Sequence, residues 1–347
     1  MKNGMNVAAI SELVHEIRKV PRENEIDYSA GLTWAGGLTL RGRTLPLRFG
    51  SKRLGRDFRF DVGHLSDPDG AAAPTPADYL MVGLGSCVAN ILVQGASYKG
   101  ITLDTLRVSA AASQAGAALE GLALDVHIAS DGGRWQYKQM MMNVARFSPN
   151  YVTVTLPNSL AVDCIVTETA APGDGLSRPA RIMPAPMDQP AGPVALGVDI
   201  DWRNGTQMDI ALKDIGTPGH TRPRSARLVS DQPGPAAGLN EAPNPQEYLL
   251  TGVAADLMQQ VVLCAAEEGL VLHALEGDIA CHLDMKGCFN LFDKSAIQLQ
   301  DNRLVLRATG PLTTADLERL VAKARTRSAC HQAFAGATKA ALERIGD

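Results

Sequence analysis

The chain has no marked excess of either charge. Its 347 residues hold 33 Lys and Arg against 37 Asp and Glu, a formal net charge of -4. That balance leaves no electrostatic footprint for a nucleic-acid partner. The locally basic stretch from Arg41 to Arg59 alternates single arginines with apolar residues, as one solvated strand face does. No uninterrupted apolar stretch reads as long enough to cross a bilayer, so no membrane partner is expected. No secretory leader is expected. Met1-Lys2-Asn3-Gly4-Met5 leads into Ile10 to Ile17, an amphipathic helix pattern without an apolar centre or a small-residue cleavage site. The expected location is cytoplasmic. Cysteine is sparse, with six residues (Cys87, Cys164, Cys264, Cys281, Cys288 and Cys330) mostly far apart, so no disulfide framework is required. Cys281-His282 with Cys288, and Cys330-His331, lack the short paired spacing of a zinc site, and no metal is expected. Glycine clusters such as Gly36-Gly37 and Gly132-Gly133 suit turns, no phosphate-loop spacing exists, and no cofactor is expected.

What is present is apolar and repeated. With 45% hydrophobic and 20% charged residues, the chain can bury a sizeable core, and its length favours two domains. A helix starting Thr75-Pro76-Ala77-Asp78-Tyr79-Leu80 returns as Asn244-Pro245-Gln246-Glu247-Tyr248-Leu249. In the same ungapped register Gly83 matches Gly252, Gly100 matches Gly269 and Leu103 matches Leu272. The matched positions are helix start, close-packing glycine and C-terminal glycine, which an old duplication explains better than chance.

The order of elements repeats around each helix. Strand patterns precede it over 32–40, 45–49 and 58–62, then over 198–202, 208–212 and 226–229. Hairpin patterns follow over 103–110 and 122–128, then 272–282 and 304–309, and a second helix closes each unit over 135–147 and 315–325. The resulting division is an N-terminal amphipathic helix over 1–26, a first unit over 27–170, a Pro/Gly/Ala linker over 171–195 and a second unit over 196–347. Strands grouped around two helices, without regular alternation, predict an α+β fold.

Thr75 and Asn244 read as N-caps, Pro76 and Pro245 suit the first helical position, and Asp78 and Glu247 fall where a capping-box acid belongs. The helix from Tyr79 to Val93 is apolar on nearly every side and is expected to be buried all round. Gly83, Cys87 and Ile91 share one face, with Gly83 allowing another backbone close to the thiol. Two readings of Cys87 stand at this point: an inert buried cysteine acting as a small hydrophobe, or a reactive thiol. The reactive reading requires a nearby cation or hydrogen-bond donor, because the dipole of its own helix fades after the first turn. Asp256 occupies the place of Cys87 in the second copy. A carboxylate there must be paired or have a raised pKa, and Arg222, Arg224 and Arg227 are its candidate partners. His64, ahead of the first helix, is a candidate to line the Cys87 pocket, with a satisfied surface or core histidine as the alternative.

The run Pro74-Thr75-Pro76-Ala77-Asp78-Tyr79-Leu80, followed by Gly83-Leu84-Gly85-Ser86-Cys87, resembles the signature helix of the OsmC/Ohr superfamily, the osmotically inducible protein C and organic hydroperoxide resistance proteins. Arg146-Phe147-Ser148-Pro149 resembles its second motif, and Pro243 to Leu250 resembles the first motif again without the cysteine. The resemblance implies curved antiparallel sheets around two central helices, normally built by two intertwined subunits and here by two tandem units as an intrachain pseudo-dimer. It also implies thiol-peroxidase chemistry of the oxidative stress response. A first cysteine, matched by Cys87, attacks an organic hydroperoxide; a second forms a disulfide that dithiols reduce. This chain has Ser148 at the second position, and serine cannot resolve a sulfenic acid by forming a disulfide. Ser148 can still donate a hydrogen bond to the site. The family's acidic helper falls on Ala77, one place before Asp78, and Asp78 reads as a cap before a catalytic group. The activating arginine has no unique match among Arg41, Arg43, Arg56 and Arg59. The expected function is a Cys87-dependent oxidoreductase on a small organic substrate, recycled by an external thiol or dithiol, with Cys87 and Ser148 catalytic and His64, Gly83 and Asp256 around the pockets. The rival is a non-catalytic small-molecule binding protein. A homo-oligomer is compatible with either.

Overall fold

The computed structural model describes residues 1–66, 73–167, 192–217, 219–289 and 296–345. The linker expected over 171–195 lies largely outside the described residues. The first half opens with helix α1 (Val7–Lys19) and strands β1 (Glu25–Gly36), β2 (Thr39–Thr44), β3 (Leu47–Phe49), β4 (Lys52–Leu54) and β5 (Arg59–Val62). Helix α2 (Pro76–Tyr98), the hairpin β6 (Leu103–Ala115) and β7 (Ala118–Ser130), helices α3 (Arg134–Phe147) and α4 (Pro149–Thr155) and strand β8 (Ala161–Thr167) follow. The second half repeats the order with β9 (Val194–Asn204), β10 (Gln207–Leu212), β11 (Ile215–Thr217), β12 (His220–Arg222), β13 (Arg227–Ser230) and α5 (Pro245–Glu267). It closes with β14 (Ala274–Asp284), the short helix α6 (Met285–Cys288), β15 (Gln300–Thr309), α7 (Thr314–Arg325), α8 (Ala329–Ala335) and β16 (Ala341–Ile345). The strand expected over 32–40 is two strands, because Gly36 and Gly37 both take positive φ (117° and 53°) and turn β1 into β2.

The strands of the two halves are exchanged. One eight-stranded sheet runs β4-β3-β1-β14-β15-β8, with β2 also paired to β1 and β5 paired to β2; it is first-half except for the hairpin β14–β15. The other runs β12-β11-β9-β6-β7-β16, with β10 also paired to β9 and β13 paired to β10, and is second-half except for the hairpin β6–β7. Each hairpin therefore completes the other half's sheet, with Tyr28 opposite Cys281 at one seam and Val108 opposite Ile200 at the other. The sheets are antiparallel except at one edge each, where β8 runs parallel to β15 and β16 parallel to β7. The fold is α+β with two tandem units interleaved.

Helices α2 and α5 form the centre, each 23 residues long and buried along most of its length. The expectation of no bilayer-length apolar stretch is amended here. By length and hydropathy either helix would suffice, but 83% and 89% of their most apolar windows are buried inside the protein. An apolar helix covered on all sides by sheet and helix satisfies the same composition as a membrane span. The two cross where side chains are absent. A Cβ on Gly83 would sit 2.5 Å from the Leu249 nitrogen, and one on Gly252 would sit 2.6 Å from the Pro76 carbonyl oxygen. Beside the crossing Tyr79 and Tyr248 stack at 5.8 Å, their hydroxyls donating to the carbonyls of Asp61 and Val229.

Two buried ion pairs tie the halves together. Both helices start with a complete capping box, Thr75 with Asp78 and Asn244 with Glu247. Each capping acid is also met by an arginine from the opposite half. Arg224 holds Asp78 through both guanidinium nitrogens, and Arg56 donates to Glu247 Oε2 at 2.7 Å and to the Ala242 carbonyl at 2.8 Å. All four side chains are essentially fully buried. A buried pair of this kind costs desolvation, but leaving one partner alone costs more.

Candidate functional site

Cys87 lies one turn past the glycine crossing on α2 and is only 3% exposed. The junction between α3 and α4 is bent onto it. Ser148 ends α3 and starts α4, and Pro149 has no N–H to offer, so the first free donors there are the Ser148 hydroxyl and the Asn150 backbone N–H. Ser148 makes no side-chain cap bond to its own helix. Its Oγ donates instead to Cys87 Sγ at 3.1 Å, and the Asn150 N–H also donates to the sulfur. The Asn150 side chain then bridges the two central helices, donating to the carbonyls of Gly83 at 2.8 Å and Pro245 at 2.9 Å. From the second half, Gln246 Nε2 reaches Cys87 Sγ at 3.7 Å, within range for the large sulfur acceptor.

Burial dominates the electrostatics of this thiol. It pushes the Cys87 pKa up to about 11, against the pull of Ser148, Asn150 and Gln246, which all favour the anion. No arginine contributes. Arg56, the only buried member of the upstream arginine set, is committed to Glu247, while Arg41, Arg43 and Arg59 are exposed. The donors that a reactive Cys87 requires are present and neutral, but against burial they do not lower its pKa below the ordinary value.

The equivalent place in the second half holds Asp256, 6% exposed, in a cage of the same shape. Its Oδ2 accepts from Ser328 Oγ at 2.8 Å and from the Cys330 backbone N–H at 2.8 Å. The expected arginine partners do not come here: Arg224 is bound to Asp78, Arg222 donates to the Leu65 carbonyl, and Arg227 is exposed on β13. Sequence proximity could not reveal that Arg224 serves a capping acid in the other half. Burial instead raises the Asp256 pKa, with the Cys330 and Ser328 donors opposing it. The Cys330 thiol in turn is pushed well up by burial and by the carboxylate beside it.

Gly83 performs the close-packing role expected of it. His64, expected near the Cys87 pocket, hydrogen-bonds Ser66, and its neighbour Gly63 accepts at 2.9 Å from Gln259 on α5. All six cysteines are free. Cys281 is buried while the adjacent His282 turns outward to Asp27 at 2.9 Å, as alternation along β14 requires. Two residues of the Cys87 site, Gln246 and Asn150, were missed in the sequence. Gln246 was legible only through the duplication, since it is the third motif residue of the copy that lacks the thiol.

The family model for OsmC-like protein matches residues 68–163 and again 238–343, together more than half of the chain. The chain belongs to the OsmC-like family. Its two matched regions each contain one of the central helices and the serine that follows the second helix, so the OsmC-like duplication includes both cages. Among solved structures, an OsmC-like protein from Mycoplasma pneumoniae is 17% identical, with 31% of this chain and 78% of that chain covered and a TM-score of 0.26. No curated protein matches the chain.

Proposed function

We propose that this OsmC-like protein is a Cys87-dependent thiol peroxidase for a small organic hydroperoxide, recycled by an external thiol or dithiol. The observation that carries the reading is the convergence of donors on one sulfur from both halves: Ser148 Oγ at 3.1 Å, the Asn150 N–H, and Gln246 Nε2 at 3.7 Å. Neutral donors in a buried site act mainly on charge as it forms, so they favour the thiolate and its oxidised products over the resting thiol. In the proposed step the Cys87 sulfur attacks the terminal peroxide oxygen and the O–O bond breaks. The alcohol leaves with the thiol proton, and Cys87 becomes a sulfenic acid. Two equivalents of external thiol return it to the thiol, releasing their disulfide and water. Ser148 cannot take the part of the second thiol.

A second reading has its own support. A thiol 3% exposed, with a pKa near 11, is scarcely ionised at neutral pH, which suits a pocket that binds without turnover. Steady-state consumption of cumene hydroperoxide with a dithiol separates the two. Turnover by the wild type that Cys87→Ser abolishes supports the peroxidase; no turnover by either, with retained fold, supports binding.

A further inference from the structure

The outer faces of the two sheets share their strand pairings and differ in charge. In the first sheet Arg41 stands opposite Asp61 on one side and Thr33 on the other, and Arg43 stands opposite Arg59 and Gly31. Thr33 and Gly31 in turn stand opposite Glu276 and Asp278. In the second sheet the equivalent places hold Asp209, opposite Val229 and Asp201, and Ala211, opposite Arg227 and Asp199. The second face satisfies its carboxylates locally. Arg107 bonds Asp201 and Ser109 bonds Asp199, both at 2.6 Å, and Arg203 pairs with Asp209.

The first face leaves cations over. Asp278 is taken by Arg307 at 2.6 Å and Arg59 leans on Asp57 at 3.0 Å, but Arg41 and Arg43 make no hydrogen bond or ion pair among the described residues. Two arginines directly opposite each other, Arg43 and Arg59, repel. Ala211 shows that the pairing does not need an arginine there, and Gly31 puts no carboxylate beside Arg43 where the second copy has Asp199. The three arginines line a groove of about 590 Å³, together with Asp61, Glu276 and Asp278.

We infer that this groove is a binding site for a small hydroxylated phosphomonoester, its phosphate held by Arg41, Arg43 and Arg59. A planar guanidinium fork matches phosphate oxygens two at a time, and a dianion between Arg43 and Arg59 turns their repulsion into a shared attraction. The groove is several times larger than a phosphate ion, so the anion carries an organic part. Asp61 and Glu276 make no ion pair among the described residues and are placed to accept from its hydroxyls. The same carboxylates repel a phosphodiester chain laid across the sheet, which restricts the ligand to a compact one. The site is on the solvent side of the sheet, whose other side packs on α5 with Gly277 against Met258. It is therefore separate from Cys87 and does not depend on the peroxidase reading.

The test is calorimetric titration of the full chain in low-salt buffer with glycerol 3-phosphate, glucose 6-phosphate, inorganic phosphate and glucose. Both esters are expected to bind saturably, one molecule per chain, with inorganic phosphate about tenfold weaker and glucose giving no binding. Arg43→Ala, the residue that the second copy has at that place, is expected to weaken both esters about tenfold, and Arg41→Ala to do the same. Arg227→Ala, the equivalent of Arg59 on the other sheet, is expected to leave binding unchanged. No saturation by either ester, binding that survives Arg43→Ala, or an equal loss in Arg227→Ala would overturn the site. Inorganic phosphate binding as tightly as the esters would overturn the hydroxylated part of the ligand.

Discussion

The Cys87 and Asp256 sites are one cage with two occupants. Each has a serine from a bend between helices, Ser148 between α3 and α4 or Ser328 between α7 and α8, and a backbone N–H two residues later, from Asn150 or Cys330. Cys87 also meets the first turn of the opposing central helix through Gln246. In one cage burial lifts a thiol to about 11, and in the other it lifts a carboxyl above its ordinary range. The framework's donors are thus too few to offset desolvation in either half. The sites differ in what crosses from the opposing half: Gln246 reaches the thiol, and its counterpart Ala77 has nothing to donate. The comparison separates the serine and backbone donors of the cage, which both copies keep, from Cys87 and Gln246, which only one site has.

The largest expected effect comes from separating the halves. A fragment of residues 1–175 keeps the hairpin β6–β7 but loses β9 and β16, its neighbours in the sheet, and uncovers α2. We expect it to be insoluble or misfolded. A soluble, monomeric fragment with cooperative unfolding would show that the two cages are not interdependent.

Next come the ion pairs that frame the cages. Arg56→Met and Arg224→Met each strand a buried carboxylate and should destabilise by about 3–5 kcal/mol in chemical denaturation. Equal losses would support a symmetric frame. A loss below about 1 kcal/mol at either position would break the symmetry and mean that its carboxylate finds water.

Asp256→Asn sharpens the difference in occupant. With no arginine on it, Asp256 has a folded pKa raised above its unfolded value of 3.8, so its favourable contribution is fully present below that value. The contribution is lost as pH rises through the folded pKa, and at neutral pH the ionised form opposes folding. The amide oxygen of asparagine still accepts from Ser328 and Cys330. At pH 7 the variant should be more stable by about 1–2 kcal/mol, with the advantage shrinking toward pH 4. A variant less stable at pH 7 would mean that the carboxylate has a cationic partner after all.

The smallest effect concerns the thiol's donors. Alkylation of Cys87 should accelerate with pH up to about 11, and Ser148→Ala should move that profile up by about 0.5–1 unit. A profile that levels near pH 7 would reveal a cation that the described residues do not supply. The same thiol links stability to pH. Its contribution is fully present below the unfolded value of 9.0 and is lost as pH rises through about 11.

What could be read from the sequence follows the range of the interactions. The capping boxes, the apolar helices and the glycines at their crossing are local patterns, and the duplication made each legible twice. Strand exchange was not legible, because the alternation in β6 or β14 gives a buried face but not the partner strand. The same limit affected charges. Arg222, Arg224 and Arg227 looked suited to Asp256, yet Arg224 completes the capping box at Asp78 across the pseudo-dimer, and Asp256 is met by Ser328 and Cys330. His64 was placed beside Cys87 by its position ahead of α2, whereas its hydrogen bond goes to Ser66 and its neighbour Gly63 meets Gln259 of α5. Cys87 and Ser148 could be read because their meeting is a property of one copy's motifs. Gln246 was legible only in the duplicated motif, because it lies in one copy and reaches the thiol of the other.

The central claim is that two similar cages leave one reactive group, Cys87. It is tested most directly by a pulse of limiting cumene hydroperoxide on the full chain, trapping with dimedone, and mass spectrometry of every cysteine-containing peptide. The adduct is expected on Cys87 and on none of the other five cysteines, with no disulfide formed. An unmodified Cys87, or a rapid disulfide from Cys87 to Cys164 or Cys288, would contradict it.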